Sequence, residues 1–188
     1  VWQIPEAGLT QMIKDPLIEL QGHSRKVTLM RFHPTAANVL ASTSADQTVK
    51  VWDLTKGCEI NTLSGAHEHL INELIWDFTG SQYVTTSKDK HIRFVDARQG
   101  SVGQIIENAH DGTKSIKMVN LGKTGKFLSV GFTRESQRQL KIWDPRNTNM
   151  EVLRMDLDQA AGVIMPFYDP DTCIVYLAGK GDGNVRCY

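Results

Sequence analysis

The chain has 188 residues, 40 % of them apolar and 22 % charged, a balance that suits one folded domain and not a disordered segment. Its 21 basic and 21 acidic side chains cancel, which excludes the strong basic excess of a dedicated nucleic-acid binder but leaves room for a local basic face. The longest uncharged apolar stretch, residues 160–168 (AAGVIMPFY), is far shorter than the roughly 20 residues of a spanning helix, so no transmembrane segment is expected.

In chain order, the opening VWQI places a bulky Trp2 in a strand-like setting, and residues 6–17 (EAGLTQMIKDPL) carry helix-breaking features that predict a loop. After Gly22-His23, alternation of polar and apolar residues predicts strands at Val27–Phe32, Val39–Thr43, Thr48–Asp53 and Glu59–Leu63. The polar segments HPTAAN, SADQ and LTKG supply the turns between them. Further along, SKDKHIRFVD (87–96), QLKIWD (139–144) and GDGNVRCY (181–188) repeat the ending of SADQTVKVWD (44–53). The bulky closing residues are Trp52, Val95, Trp143 and Tyr188, separated by 43, 48 and 45 positions. No stretch of about twelve residues sustains a helical period.

A period near 45 with a terminal Trp-Asp is the signature of WD repeats, each one four-stranded blade of a β-propeller. The expected fold is therefore all-β, with units at 1–20 (partial), 21–64, 65–107, 108–156 and 157–188 (partial). About four blades are fewer than most propellers close with, so the chain reads as part of a ring whose ends fall inside strands. His23, Ser42, Asp46 and Trp52 stand at the spacings of the WD-repeat hydrogen-bond tetrad, in which a turn Asp holds the imidazole and a hydroxyl links it to the indole. The second unit keeps His67, Thr85 and Asp89 but has Val95 for Trp. The third has His110, Ser129 and Trp143, and its long FTRESQRQ connection lacks an aligned Asp. The fourth keeps Asp182 and Tyr188, with Ala178 in place of the hydroxyl.

Several segments resemble the coronins: VWQIPEAGL with its Pro-containing loop, LQGHSRKVTLMRFHPTAANVLASTSAD, the long turn GFTRESQRQLKIWD, and AAGVIMPFYDPDTCIVYLAGKGDGNVRCY. The resemblance covers essentially the whole chain and maps it onto the middle blades of a seven-bladed propeller. It implies a non-enzymatic, actin-filament-binding protein of the cytoplasm and cell cortex that regulates actin turnover. Through the full-length protein it also implies dealings with the actin-related-protein nucleating complex and filament-severing proteins, and oligomerisation by a coiled coil absent from this chain. The alternative is a general WD-repeat scaffold for membrane-traffic or signalling complexes, without actin contact.

An acidic filament calls for clustered cations despite zero net charge. Arg25 and Lys26 follow the Gly-His pair, and Lys88, Lys90 and Arg93 surround the next unit's turn between its second and third strands. Arg134 and Arg138, in the long third turn, are a weaker addition. Residues 80–100 carry a local charge of +2 and residues 151–188 one of −3, so a basic and an acidic sector are expected. No catalytic residue is assigned: His23, Asp46 and Ser42 are the types of an acyl-transfer triad, but similar sets recur in neighbouring units, where a triad would occur once. His67 and His69 diverge along the chain, the GKGDG turn lacks phosphate-loop register, and Asp158, Asp169 and Asp171 read as turn residues, so neither metal nor cofactor is expected. Phe32, Trp76, Phe78, Phe127 and Phe167 are expected between blades. Cys58, Cys173 and Cys187, odd in number and without Cys-x-x-Cys spacing, join the lack of a sequon and of a signal peptide in pointing to a reducing compartment.

Overall fold

The computed structural model describes residues 1–188. Blade 1 is the antiparallel sheet β1 (Val27–Phe32), β2 (Val39–Ser44), β3 (Val49–Asp53) and β4 (Cys58–Leu63), in that spatial order. Blade 2 repeats it with β5 (Ile71–Trp76), β6 (Gln82–Ser87), β7 (Ile92–Asp96) and β8 (Ser101–Ile106). Blade 3 is β9 (Lys117–Asn120), β10 (Phe127–Phe132), β11 (Arg138–Trp143) and β12 (Leu153–Asp158). Blade 4 has three strands, β13 (Ile164–Asp169), β14 (Ile174–Gly179) and β15 (Val185–Cys187). The single helical feature is a 3-10 turn at Gly122–Thr124, and no helix is long and apolar enough to cross a membrane. Together the sheets make a partial WD-type propeller.

The alternation that predicts strands also dictates how blades stack, because successive side chains leave a strand on opposite faces. In β6, Tyr83 joins the apolar cluster shared with blade 1, whereas its neighbour Val84 joins the one shared with blade 3. The first seam packs Ala41, Val49 and Val51 against Leu74, Trp76 and Val95. The second packs Phe94 edge-on against Phe127, with ring centroids 5.4 Å apart. The third packs Leu128, Val130 and Leu140 against Ile164 and Leu177. Ion pairs to a buried carboxylate tie the first strands of three blades together: Glu73 on β5 accepts from Arg31 on β1 at 3.0 Å and pairs with Lys117 on β9 at 3.2 Å.

Residues 1–20 correct the expectation of a partial strand around Trp2. They form no strand, and Trp2 is 53 % exposed. This segment instead folds back on itself, with Leu17 N–H donating to Val1 O at 2.9 Å, and packs Val1, Ile18 and Leu20 against Leu40, Trp52 and Leu54 of blade 1. Trp76 and Phe127 are core residues, but Phe32, Phe78 and Phe167 are exposed, against expectation. Phe32 with Met30 lies on the outward face of blade 1, and Phe167 with Met165 on that of blade 4, so neither pair has a facing blade.

Candidate functional site

The turns between second and third strands and the loops entering each first strand open on one face. In blade 1, Ala45 N–H donates to Lys26 O at 2.9 Å, and in blade 2 Lys88 N–H donates to Leu70 O at 3.2 Å. Side chains then connect one blade's turn to the next blade's loop: Gln47 Nε2 donates to Glu68 O at 3.0 Å, and Lys90 Nζ to Asp111 O at 2.6 Å. Lys114 Nζ continues the belt by donating to Ala161 O of blade 4 at 2.6 Å. Both Gln47 (φ 68°) and Lys90 (φ 72°) adopt the left-handed conformation that closes the turn, which costs a side-chain-bearing residue about 1–2 kcal/mol.

Beneath this face the blades are fastened by the residues singled out as tetrads. In blade 1, Trp52 Nε1 donates to Ser42 Oγ at 2.8 Å, and Ser42 is 2.8 Å from His23 Nε2. The ionised Asp46 carboxylate can only accept, so the imidazole proton sits on Nδ1, 3.0 Å from Asp46 Oδ2, and Nε2 of the neutral ring accepts from the Ser42 hydroxyl. Asp46 also accepts from Ser24 N–H and from Thr48, and these bonds outweigh burial to hold its carboxyl well below the usual range. Ser42 is only 4 % exposed and is covered by the indole, so its hydroxyl is closed off from solvent and from an approaching substrate.

Blade 3 stops one bond short. Trp143 Nε1 and His110 Nε2 both reach Ser129 Oγ at 2.8 Å, but His110 Nδ1 has no partner. Burial therefore pushes this imidazole down to about 3. In blade 2, His67 Nε2 meets Thr85 Oγ1 at 3.2 Å, and Nδ1 is again unpartnered. Asp89 does not hold His67: it pairs with Arg93 Nη2 at 2.6 Å instead. Burial, followed by the Arg93 charge, lowers His67 to about 4. Against its own burial, the bond from Arg93 with those from Ser87 and His91 brings Asp89 down to about 2.

Arg93 is therefore a correction to the expected basic surface: it is 7 % exposed and neutralised inside its blade. The signal lay in the repeat. Lys50, Arg93, Lys141 and Arg186 all stand two positions before a closing bulky residue, and all four face acids, namely Glu59, Asp89, Glu151 and Asp158. Arg138 is likewise removed from the surface, at 1 % exposure. It clamps blade 3 to blade 4, donating to Asp158 at 2.5 Å and to Asp182 at 3.0 Å. Asp182 serves this clamp and no tetrad, since blade 4 offers it no histidine. Arg138, with Arg186, lowers Asp158 to about 2.

Arg25, Lys26 and Lys88 remain exposed on the loop face, each free of an ion pair. Lys90 is half-buried at the edge of the same face. The three cysteines are unpaired, exposed and far apart in sequence, and no cluster of His, Cys, Asp or Glu has the form of a metal centre.

This geometry, antiparallel blades of repeating strand order below a common loop face, with His–Ser–Trp relays in the first and third, defines the WD-repeat propeller class. The "WD domain, G-beta repeat" family model matches residues 14–53. A coronin-like protein, crn1, of Schizosaccharomyces pombe is 43 % identical over 195 residues, covering 100 % of this chain and 31 % of that protein. Human coronin-2A is 40 % identical, covering 100 % of the chain and 36 % of the relative. The solved WD40 domain of a Toxoplasma gondii coronin superposes with a TM-score of 0.93 at 29 % identity, over the whole chain and 48 % of that domain's chain. Over its whole length the chain is similar to coronin propellers, and it spans about a third of the length of the curated relatives it matches.

Proposed function

We propose that this segment belongs to a non-enzymatic, actin-filament-binding protein of the coronin type, which organises the cytoplasmic actin cytoskeleton and its turnover at the cell cortex. The observation that carries the reading is the exposed, unpaired set Arg25, Lys26 and Lys88, held in register on the loop face of a coronin-type propeller. Acidic filaments attract such a set, and because the cations are exposed the attraction is screened by salt, with a Debye length of about 8 Å at physiological ionic strength. Lys90 adds positive potential beside them while its ammonium braces the neighbouring loop. Contacts with the actin-related-protein nucleating complex and with severing proteins, and oligomerisation through a coiled coil, belong on this reading to the full-length protein.

Cosedimentation with actin filaments over a salt series tests the proposal. The chain is expected to pellet with filaments at low salt and to be released as salt rises. Absence from the pellet at every salt concentration would favour a general WD-repeat scaffold instead.

A further inference from the structure

A second feature of the loop face lies between blades 2 and 3. There the turn of blade 2, the loop entering blade 3 and the long turn of blade 3 enclose a pocket of about 250 Å³. Its lining has one apolar residue, Phe132, and brings together Lys90, Lys114 and Arg134 against a single carboxylate, Asp111. Two of the cations are positioned in advance. Lys90 Nζ is braced on Asp111 O, and Lys114 Nζ on Ala161 O, 4.3 Å from the Phe132 ring centroid. Each ammonium has three N–H donors and gives one to its carbonyl, so two remain for a ligand. Arg134 makes no ion pair and is exposed. The Gly112 backbone is pinned to β10 by its N–H donating to Phe132 O at 2.7 Å, an approach that a Cβ at Gly112 would block.

We propose that this pocket binds a phosphate monoester carried on a serine or threonine side chain of a partner protein. Three cations against one carboxylate leave the site with two positive charges, matched by the −1.5 to −2 of such a group at neutral pH. A carboxylate would neutralise only half of that. Its three oxygens find donors in the two ammoniums and in the guanidinium, whose planar fork favours phosphate. The surroundings suit a protein partner better than a bilayer: none of the exposed large apolar side chains falls within residues 107–116 or 133–137.

The test is an amide-resolved NMR titration of the 188-residue chain with a blocked Gly-phosphoSer-Gly peptide. The unphosphorylated peptide, inorganic phosphate and vesicles containing phosphatidylinositol phosphates form parallel arms. Saturable shifts confined to residues 112–114 and 133–136, seen with the phosphopeptide and not with its unphosphorylated form, are the expected result. Lys114→Gln and Arg134→Gln should each weaken binding about tenfold, by loss of one charge-assisted contact, and Arg134→Gln, which breaks no contact within the fold, should do so with an unchanged melting temperature. The proposal is overturned by silence with the phosphopeptide, by equal shifts with the unphosphorylated peptide, or by affinity that both variants retain. Binding of inorganic phosphate as tight as that of the phosphopeptide would mark an adventitious anion site, and vesicle binding without phosphopeptide binding a lipid site. Either outcome also overturns it.

Discussion

Ser42 and Thr85 occupy the same position in successive blades and carry different loads. Ser42 serves both the Trp52 indole and His23, whereas Thr85 serves only His67, because Val95 has replaced the indole. Removing the hydroxyl at Ser42 orphans two buried groups, so Ser42→Ala is expected to cost about 2 kcal/mol or more in denaturant unfolding, and Thr85→Val about 1 kcal/mol. Equal losses would contradict the double role of Ser42. The two orphaned imidazoles set a pH dependence. His67 and His110 stay neutral in the fold, with values of about 4 and about 3 against an ordinary 6.5. Only the unfolded chain takes up their protons as pH falls below 6.5, so stability is fully present above that pH and is lost on acidification towards those lower values. The slope is about 1 kcal/mol per pH unit for each histidine. Asp89 and Asp158, depressed from 3.8 to about 2, keep their contribution until pH falls below 3.8 and then add to the loss. Urea midpoints at pH 7 and pH 5 check the first stage, and identical midpoints would contradict it.

The elements of blade 1 were readable to within a residue, because alternation and turn chemistry agreed at every boundary: β1 spans Val27–Phe32 as predicted, and β2 to β4 shift by one position at an end. Relays within one blade were legible for the same reason, since fixed spacing along antiparallel strands places His23, Ser42 and Trp52 together. Contacts between blades were not. Arg138 and Asp182 lie 44 positions apart and meet only because blades stack at a fixed offset, a relation that strand periodicity does not encode. Gly179 records the meeting, because a Cβ there would collide with the Arg138 guanidinium and the Asp182 carboxylate. Arg138→Gln should therefore leave Asp158 and Asp182 facing each other with reduced compensation and cost about 3 kcal/mol, the scale of breaking a buried charge network. Thermal unfolding followed at neutral pH measures it, and a loss near zero would mean that the clamp is solvated.

At the scale of the whole molecule, zero net charge conceals an uneven distribution. Cations that sit on strands are engaged in ion pairs within and between blades, as at Lys50, Arg93, Arg138 and Arg186, and the cations free of an ion pair sit on turns and loops. Sequence counting merges the two groups, which is why Arg93 and Arg138 read as surface candidates and Lys114 did not. The loop face is braced because the turns of blades 1 and 2 are bonded to the next blade's loop and the loop entering blade 3 to that entering blade 4, so a broad partner meets a preorganised surface with little ordering cost. The most direct measurement is filament cosedimentation of the chain with Lys26 and Lys88 both changed to Glu, at low salt, beside the unchanged chain and with both melting temperatures recorded. The account predicts that the double variant keeps its fold and stays in the supernatant while the unchanged chain pellets. A folded double variant that pellets as fully as the unchanged chain would contradict it.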